Sequence, residues 1–182
     1  MRHIKIVNSI LLIISLFLIT SCSNNSTMKP EDFKNKEPRL VIEEYLTGNV
    51  KAWGVLQNRS GKVTRQFSAD LDGSWDGKQL ILKEKFNWND GEVQNREWTI
   101  NKIDENNYEG TAGDVVGKAI GYSYGPAFKF EYVLLVPVKG KEMKITFDDW
   151  IFKQDDRVAI NRATMTKFGF KVAELTVVLV KD

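Results

Sequence analysis

Residues 63–114 read VTRQFSADLDGSWDGKQLILKEKFNWNDGEVQNREWTINKIDENNYEGTAGD. The odd positions at its start are Val63, Arg65, Phe67, Ala69, Leu71, Gly73 and Trp75, while Thr64, Gln66, Ser68, Asp70, Asp72 and Ser74 are polar. Alternation of period two marks a strand with one buried face. Asp76-Gly77 then reads as a two-residue hairpin loop, because both residues tolerate the positive φ of a type I′ turn. In that register Trp75 faces Lys78, Leu71 faces Leu82, Phe67 faces Phe86 and Arg65 faces Trp88, so the apolar faces coincide. Asn89-Asp90-Gly91 reads as a three-residue loop with Gly91 in the left-handed region. It sets Leu82 against Trp98, Leu80 against Ile100 and Glu84 against Arg96. A loop at 104–106 sets Trp98 against Ala112 and Arg96 against Asp114.

One face of this sheet therefore carries Arg65, Glu84, Arg96 and Asp114 among Phe, Leu and Trp side chains, with Trp88 and Trp98 beside them. Burying unpaired charge costs several kcal/mol per ion, by order of magnitude, so the charges either pair with one another or line a wet cavity. In the first case they are a salt-bridge network that fixes register. In the second, Arg65 and Arg96 form the polar floor of a barrel and meet an anionic head group, for which the planar guanidinium is suited. A register wrong by one residue would turn the whole set outward.

Upstream, Arg2, His3 and Lys5 precede a nearly continuous apolar run, and Leu18-Ile19-Thr20-Ser21-Cys22 follows. This reads as a signal peptide over 1–21 ending in a lipobox, too short for a membrane span. The pattern resembles bacterial lipoprotein signals, which implies cleavage before Cys22, acylation of that residue and, with Ser23 next, export to the outer membrane. Several acyl chains give stable anchoring, at roughly 0.8 kcal/mol per buried methylene. Residues 22–38, polar and broken by Pro30 and Pro38, read as a flexible tether. Residues 39–182 read as one barrel domain, long enough for a core of its own.

Loss of Arg2 and Lys5 lowers Lys plus Arg from 26 to 24 against 24 Asp plus Glu, leaving the mature chain formally neutral. Neither nucleic acid nor a polybasic membrane contact is expected of such a chain. His3 is the single histidine and Cys22 the single cysteine. Ser-His and Cys-His catalysis, histidine metal sites, paired-cysteine redox chemistry and disulfides are therefore outside its inventory. No cofactor and no metal are expected.

The spacing at 39–46 suits a short helix ended by Gly48. In the strand that follows, Val50, Ala52, Gly54 and Leu56 oppose Leu71, Ala69, Phe67 and Arg65, and Trp53 falls on the other face, where the short helix could cover it. Gly121-Tyr122-Ser123-Tyr124-Gly125 matches a nucleophile elbow in letters only, since that motif needs a strand-turn-helix setting and a histidine partner. Glycines 113, 117, 121 and 125 read instead as bulges or barrel corners. Three further hairpins occupy the remainder, the first from a strand at 127–136, where Phe128, Phe130, Tyr132, Leu134 and Val136 alternate, through a turn at 138–141. A loop at 154–156 sets Phe152 against Val158, Trp150 against Ile160 and Asp148 against Arg162, a second charged pair on the more apolar face. The turn at Phe168-Gly169 then sets Ile160 against Val177 and Arg162 against Leu175.

Nine or ten short strands in successive hairpins point to an all-β, up-and-down antiparallel barrel with one short N-terminal helix, able to enclose one small ligand. Trp53-Gly54, Trp75-Asp76-Gly77, Asp90-Gly91-Glu92 with Arg96 and Trp98, Phe147-Asp148-Asp149-Trp150, and Asn161-Arg162-Ala163 before Lys167-Phe168-Gly169 together resemble the bacterial lipoproteins of domain-of-unknown-function family 3833. The resemblance spans residues 40–181 and implies a calycin-like barrel. It also implies a link to lipids, through neighbouring genes for fatty-acid modification, and no particular activity. Likeness to lipocalins proper is looser, because Gly48 and Trp53 lack the Gly-x-Trp spacing.

The expected function is that of a monomeric, lipid-anchored binding module on the periplasmic side of the outer membrane. Its ligand would be a fatty acid or other apolar molecule with a polar head, held by Arg65, Glu84, Trp88, Arg96, Trp98, Asp114, Asp148 and Arg162. The alternatives are an envelope-lipid-modifying enzyme using Glu84 or Asp149 as acid or base, and a structural lipoprotein with a filled core.

Overall fold

The computed structural model describes residues 27–182 apart from Lys139. The expected signal peptide and the acylated Cys22 lie outside the described residues. Ten strands follow one short helix, α1 (Ile42–Tyr45): β1 (Gly48–Asn58), β2 (Val63–Trp75), β3 (Gln79–Trp88), β4 (Val93–Lys102), β5 (Asn107–Thr111), β6 (Ala119–Tyr124), β7 (Ala127–Val138), β8 (Lys141–Lys153), β9 (Val158–Lys167) and β10 (Phe170–Lys181). Each pairs antiparallel with its neighbour in sequence, and β1 pairs with β10 to close the barrel. The up-and-down antiparallel barrel expected above is thus the observed fold. Closure leaves no free sheet edge.

The β1–β2 and β3–β4 registers are as expected, with Val50 opposite Leu71 and Glu84 opposite Arg96. The β4–β5 register also holds, with Ile100 opposite Gly110. Three other details differ. At Asp76-Gly77 the turn is wider than two residues, because the Asp76 carboxylate accepts the backbone N–H groups of Lys78 and Gln79 at 2.8 and 2.7 Å. Leu71 consequently faces Glu84, and Phe67 faces Trp88. A slip of two residues keeps every side chain on its face. Asp155 does the same between β8 and β9, accepting from Arg157 and Val158, so Trp150 faces Arg162 and Asp148 faces Thr164. At the last hairpin the expected pairing begins correctly, Phe170 with Lys167, and a bulge between Lys171 and Ala173 then shifts it by one, to Leu175 opposite Ala163.

One end of the barrel is closed. Leu40, Ile42 and Leu46 of the α1 segment are almost fully buried there, each burial stabilising by about 2 kcal/mol. Gly73 leaves room for this cap, since a Cβ on it would stand 1.9 Å from the Leu46 carbonyl oxygen. The Tyr45 hydroxyl lies 3.0 and 3.2 Å from the Arg157 and Leu179 carbonyls, to which it donates. The Lys181 ammonium donates to the carbonyls of Glu44, Tyr45 and Thr47. Glu43, itself buried, accepts from Lys102 and from the Tyr108 hydroxyl. Burial alone would raise its carboxyl, but Lys102, a backbone N–H and Tyr108 hold it below the usual glutamate range.

A folded-state pKa below the unfolded one stabilises above the unfolded pKa and is lost as pH falls through the folded one. Glu43→Gln is therefore expected to cost about 1.5 kcal/mol near pH 7 and nothing at strongly acid pH. Thermal melts of both proteins across that range check it; an unchanged gap at low pH would rule out ionic latching of the cap.

Within the stretch expected to be tether, Pro30 is buried and Phe33 partly so, while residues 34–37 are exposed. Pro30–Phe33 forms a 3-10 turn on β6 and β7, and the Phe33 ring lies 6.0 and 5.5 Å from the rings of Trp150 and Phe152. Trp53 is half exposed, not covered by the helix.

Candidate functional site

The interior is hollow on both sides of Arg96. An inner cavity of about 120 Å3 reaches down to Leu46 of the cap, and an outer one of about 210 Å3 opens toward the loops at the far end. Phe67, Phe86, Arg96, Tyr132 and Leu175 line both and form the partition between them. The lining is mainly aromatic: Trp98 packs at 5.2 Å against both Phe130 and Tyr132, and Tyr132 stacks on Phe147 at 5.0 Å.

Register places the polar groups. Glu84 and Arg96 are cross-strand partners on β3 and β4, and Asp114 follows β5 in line with Arg96. Arg96 grips Asp114 in the bidentate manner, Nε at 3.1 Å from both oxygens and Nη2 at 2.8 Å from Oδ2. Its Nη1 stands 3.7 Å from Glu84 Oε2, an ion pair without a hydrogen bond. Glu84 Oε2 is buried and has no hydrogen-bond partner. On the opposite wall Asp149 of β8 accepts from the Tyr132 hydroxyl at 2.8 Å and from Asn161 of β9, whose amide also donates to the Trp150 carbonyl.

Glu84 and Asp114 thus share one guanidinium, while Asp149 has donors of its own on the opposite wall. Burial pushes Glu84 up to about 7, with Arg96 opposing and Asp149 adding to the rise. Burial also raises Asp149, against the donors Asn161 and Tyr132. Arg96 stays protonated, because Asp114 and Glu84 outweigh the effect of its burial. Glu84 therefore exchanges its proton near neutrality, in an apolar chamber, at a site where an arriving hydrogen-bond donor would find a free acceptor.

Of the expected site residues, Glu84, Arg96, Trp98 and Asp114 converge here. Arg65 and Trp88 do not reach the cluster. The two-residue widening of the β2–β3 turn carries Arg65 beyond the end of β3, where it bonds Asp90 and Glu92 at 2.8 and 2.7 Å and lies 4.0 Å over the Trp88 ring. Arg65 and Trp88 nevertheless line the outer cavity together with Arg96, Arg65 being held there by Asp90 and Glu92 and Arg96 by Asp114. Asp148 and Arg162 are not a pair and do not face inward: Asp148 meets Lys129 at 3.4 Å on the outer wall, and Arg162 bonds Glu174. The inward residues of this hairpin are Phe147, Asp149, Ile151 and Asn161. Ser123 of the Gly-x-Ser-x-Gly stretch is buried and donates to the Leu40 carbonyl at 3.0 Å, a structural role. Among the described residues no group of three or more His, Cys, Asp or Glu is placed to hold a metal ion.

Tyr132 and Asn161 were not singled out from the sequence. Tyr132 sat in the alternation Phe128, Phe130, Tyr132, Leu134, and a polar tip inside an aromatic run was its only signal. Asn161 was hidden by the wrong choice of face for its hairpin.

In fold the chain is similar to the S-type phycobiliprotein lyase CPES from Guillardia theta, at 11% identity over 86% of this chain and 94% of that one, with a TM-score of 0.58. It is also similar to a protein of unknown function of the DUF3598 family from Nostoc punctiforme, at 15% identity and a TM-score of 0.60, covering 81% of this chain but about half, 51%, of that one. These likenesses identify a lipocalin-like barrel. No curated protein sequence matches. The family described as protein of unknown function DUF3833 matches residues 16–181, nearly the whole length, and the chain belongs to that family.

Proposed function

We propose that the protein is a binding barrel for one slender apolar molecule whose head donates a hydrogen bond, such as a long-chain amine, alcohol or amide. The observation that carries this is the unpartnered Oε2 of Glu84, buried at the wall of an aromatic chamber that continues past Arg96 toward the loop end. Only together do the two cavities reach the lower end of the ~300–1,000 Å3 of small-molecule sites, so a narrow tail must thread the partition. A fatty-acid carboxylate is the less favoured head. It would be a third carboxyl beside a guanidinium that Asp114 already occupies, and it requires a protonated Glu84. The lipoprotein-like segment ending at Cys22 supports placing the barrel on an envelope membrane, on the periplasmic face of the outer one.

Titration with dodecylamine, dodecanol and dodecanoate, followed through tryptophan fluorescence, separates these heads. Dodecylamine is expected to bind more tightly at about pH 8 than at about pH 6, because Glu84 ionises between them, and Glu84→Gln should weaken it by ~10-fold and flatten the pH dependence. Dodecanoate should show the opposite pH trend. Failure of all three to bind, or best binding of dodecanoate at alkaline pH, would overturn the assignment.

A further inference from the structure

We propose that the open rim of the barrel docks on an anionic lipid bilayer, with Phe168 and Phe170 of the β9–β10 hairpin seated among the lipids. In an up-and-down barrel the β1–β2, β3–β4, β5–β6, β7–β8 and β9–β10 connections all lie at one end, opposite the end that α1 closes. That end collects exposed apolar side chains: Val63, Val93, Val138, Phe168, Phe170 and Val172. Phe168 is the extreme case, 89% exposed, at a turn where it and Gly169 have φ of 52° and 80°. Two successive positive φ angles define a tight hairpin turn in which Asn or Asp is favoured at the first place. A bulky aromatic residue there strains the backbone, and its ring is left almost wholly exposed. Lys167 lies beside it, its ammonium 5.2 Å from the ring centroid.

Charge identifies the partner. Arg59, Lys62, Lys141, Lys144 and Lys167 stand at this end and form no ion pair among the described residues, whereas Asp90 and Glu92 are engaged by Arg65. Glu142, at the same end, forms no ion pair among the described residues. Apolar tips ringed by cations match the interfacial region of an anionic membrane, where aromatic residues anchor and lysines meet phosphate. A second copy of the chain would bring the same cationic rim against itself. The rim is also a circle of separate hairpin tips around the outer cavity, which a soft flat surface can meet all at once. An apolar ligand would then pass between bilayer and barrel without crossing water.

Docking stands independently of what the barrel holds and is read at the rim itself. The full chain is reconstituted into phosphatidylcholine vesicles with about one third phosphatidylglycerol, carrying an environment-sensitive fluorophore at Phe168→Cys or, at the closed end, at Asp156→Cys. Signal from the parent chain, whose one cysteine is Cys22, is subtracted. The label at 168 is expected to shift to the blue, gain ~3-fold in intensity and be quenched by spin-labelled lipid, with the label at 156 unchanged. Pure phosphatidylcholine, or the Lys62→Glu/Lys141→Glu variant, should cut the response several-fold. A label at 168 that reports water in every vesicle, or one at 156 that responds as strongly, overturns the proposal. So does a response at 168 that is indifferent to lipid charge and to the lysine reversals.

Discussion

Glu84→Gln is expected to make the protein more stable at pH 8, by about 2 kcal/mol, and to leave it unchanged near pH 4. The sign follows from the direction of the perturbation. Burial lifts the Glu84 carboxyl from its ordinary 4.5 to about 7, and a group that resists ionisation in the folded state destabilises it wherever the unfolded chain is ionised. Below about 4.5 both states hold the proton and the effect vanishes. Between there and about 7 the unfolded chain ionises first and the penalty grows, reaching roughly 3 kcal/mol above both values. Glutamine removes the charge but keeps a buried polar head, so somewhat less than the whole is recovered. Differential melting at several pH values measures it, with ~5 °C expected at pH 8 for a domain of this size. If the variant is less stable than the parent at alkaline pH, Glu84 is a satisfied ion-pair partner of Arg96 and not an acceptor held open. The same variant loses affinity for a donor head, so stability and binding move in opposite directions, as they do where a site is kept at the expense of the fold.

Much of this architecture was legible from residues that act locally. Asn89-Asp90-Gly91 fixed its loop length, and the alternation on β3 and β4 then left one register in which the apolar faces meet. Glu84, Arg96 and Asp114 were placed together by that reasoning alone. What the sequence hid has three physical causes. The first is side-chain capture of loop backbone. Asp76 and Asp155 each take two N–H groups of the turn they begin, which widens it and moves the following strand by two residues. Nothing in an Asp-Gly pair announces this, and it displaced Arg65 from the cluster. The second is burial on the outside of the barrel. Trp150 and Phe152 are covered from outside by Phe33, so β8 is apolar on both faces and its alternation no longer says which one is interior. The more apolar face is the outer one, which brings Asp148 and Arg162 forward, hides Asn161, and leaves Asp149 only as a candidate acid or base of an enzyme. The bulge after Lys171 is a third case, a single extra residue invisible to any pattern of period two.

Arg96→Met is expected to be the most damaging single substitution in the interior, costing about 3–5 kcal/mol near neutral pH, a large share of the ~5–15 kcal/mol that holds a domain together. Methionine can fill much of the volume, so the loss is electrostatic. Asp114 loses a bidentate partner and Glu84 the cation paired with it, which leaves Glu84 with Asp149 on the wall of the inner cavity. Glu84 and Asp149, already raised by burial and opposed in this by Arg96, must then hold their protons more tightly, so the deficit is greatest at alkaline pH and shrinks as pH falls. Arg96→Lys keeps the charge without the fork and should cost less, about 1–2 kcal/mol. Should Arg96→Met fail to fold, the Glu84→Gln/Arg96→Met/Asp114→Asn protein still decides the matter. With the two neighbouring charges gone there is little left to compensate, and it should recover most of the loss, a strong non-additivity expected of groups in contact. Equal stability of Arg96→Met and the parent, or additive losses in the triple variant, would show that the charges do not act as one unit. Arg96 would then not hold the carboxyls in place, and a donor head at Glu84 would lose its physical basis.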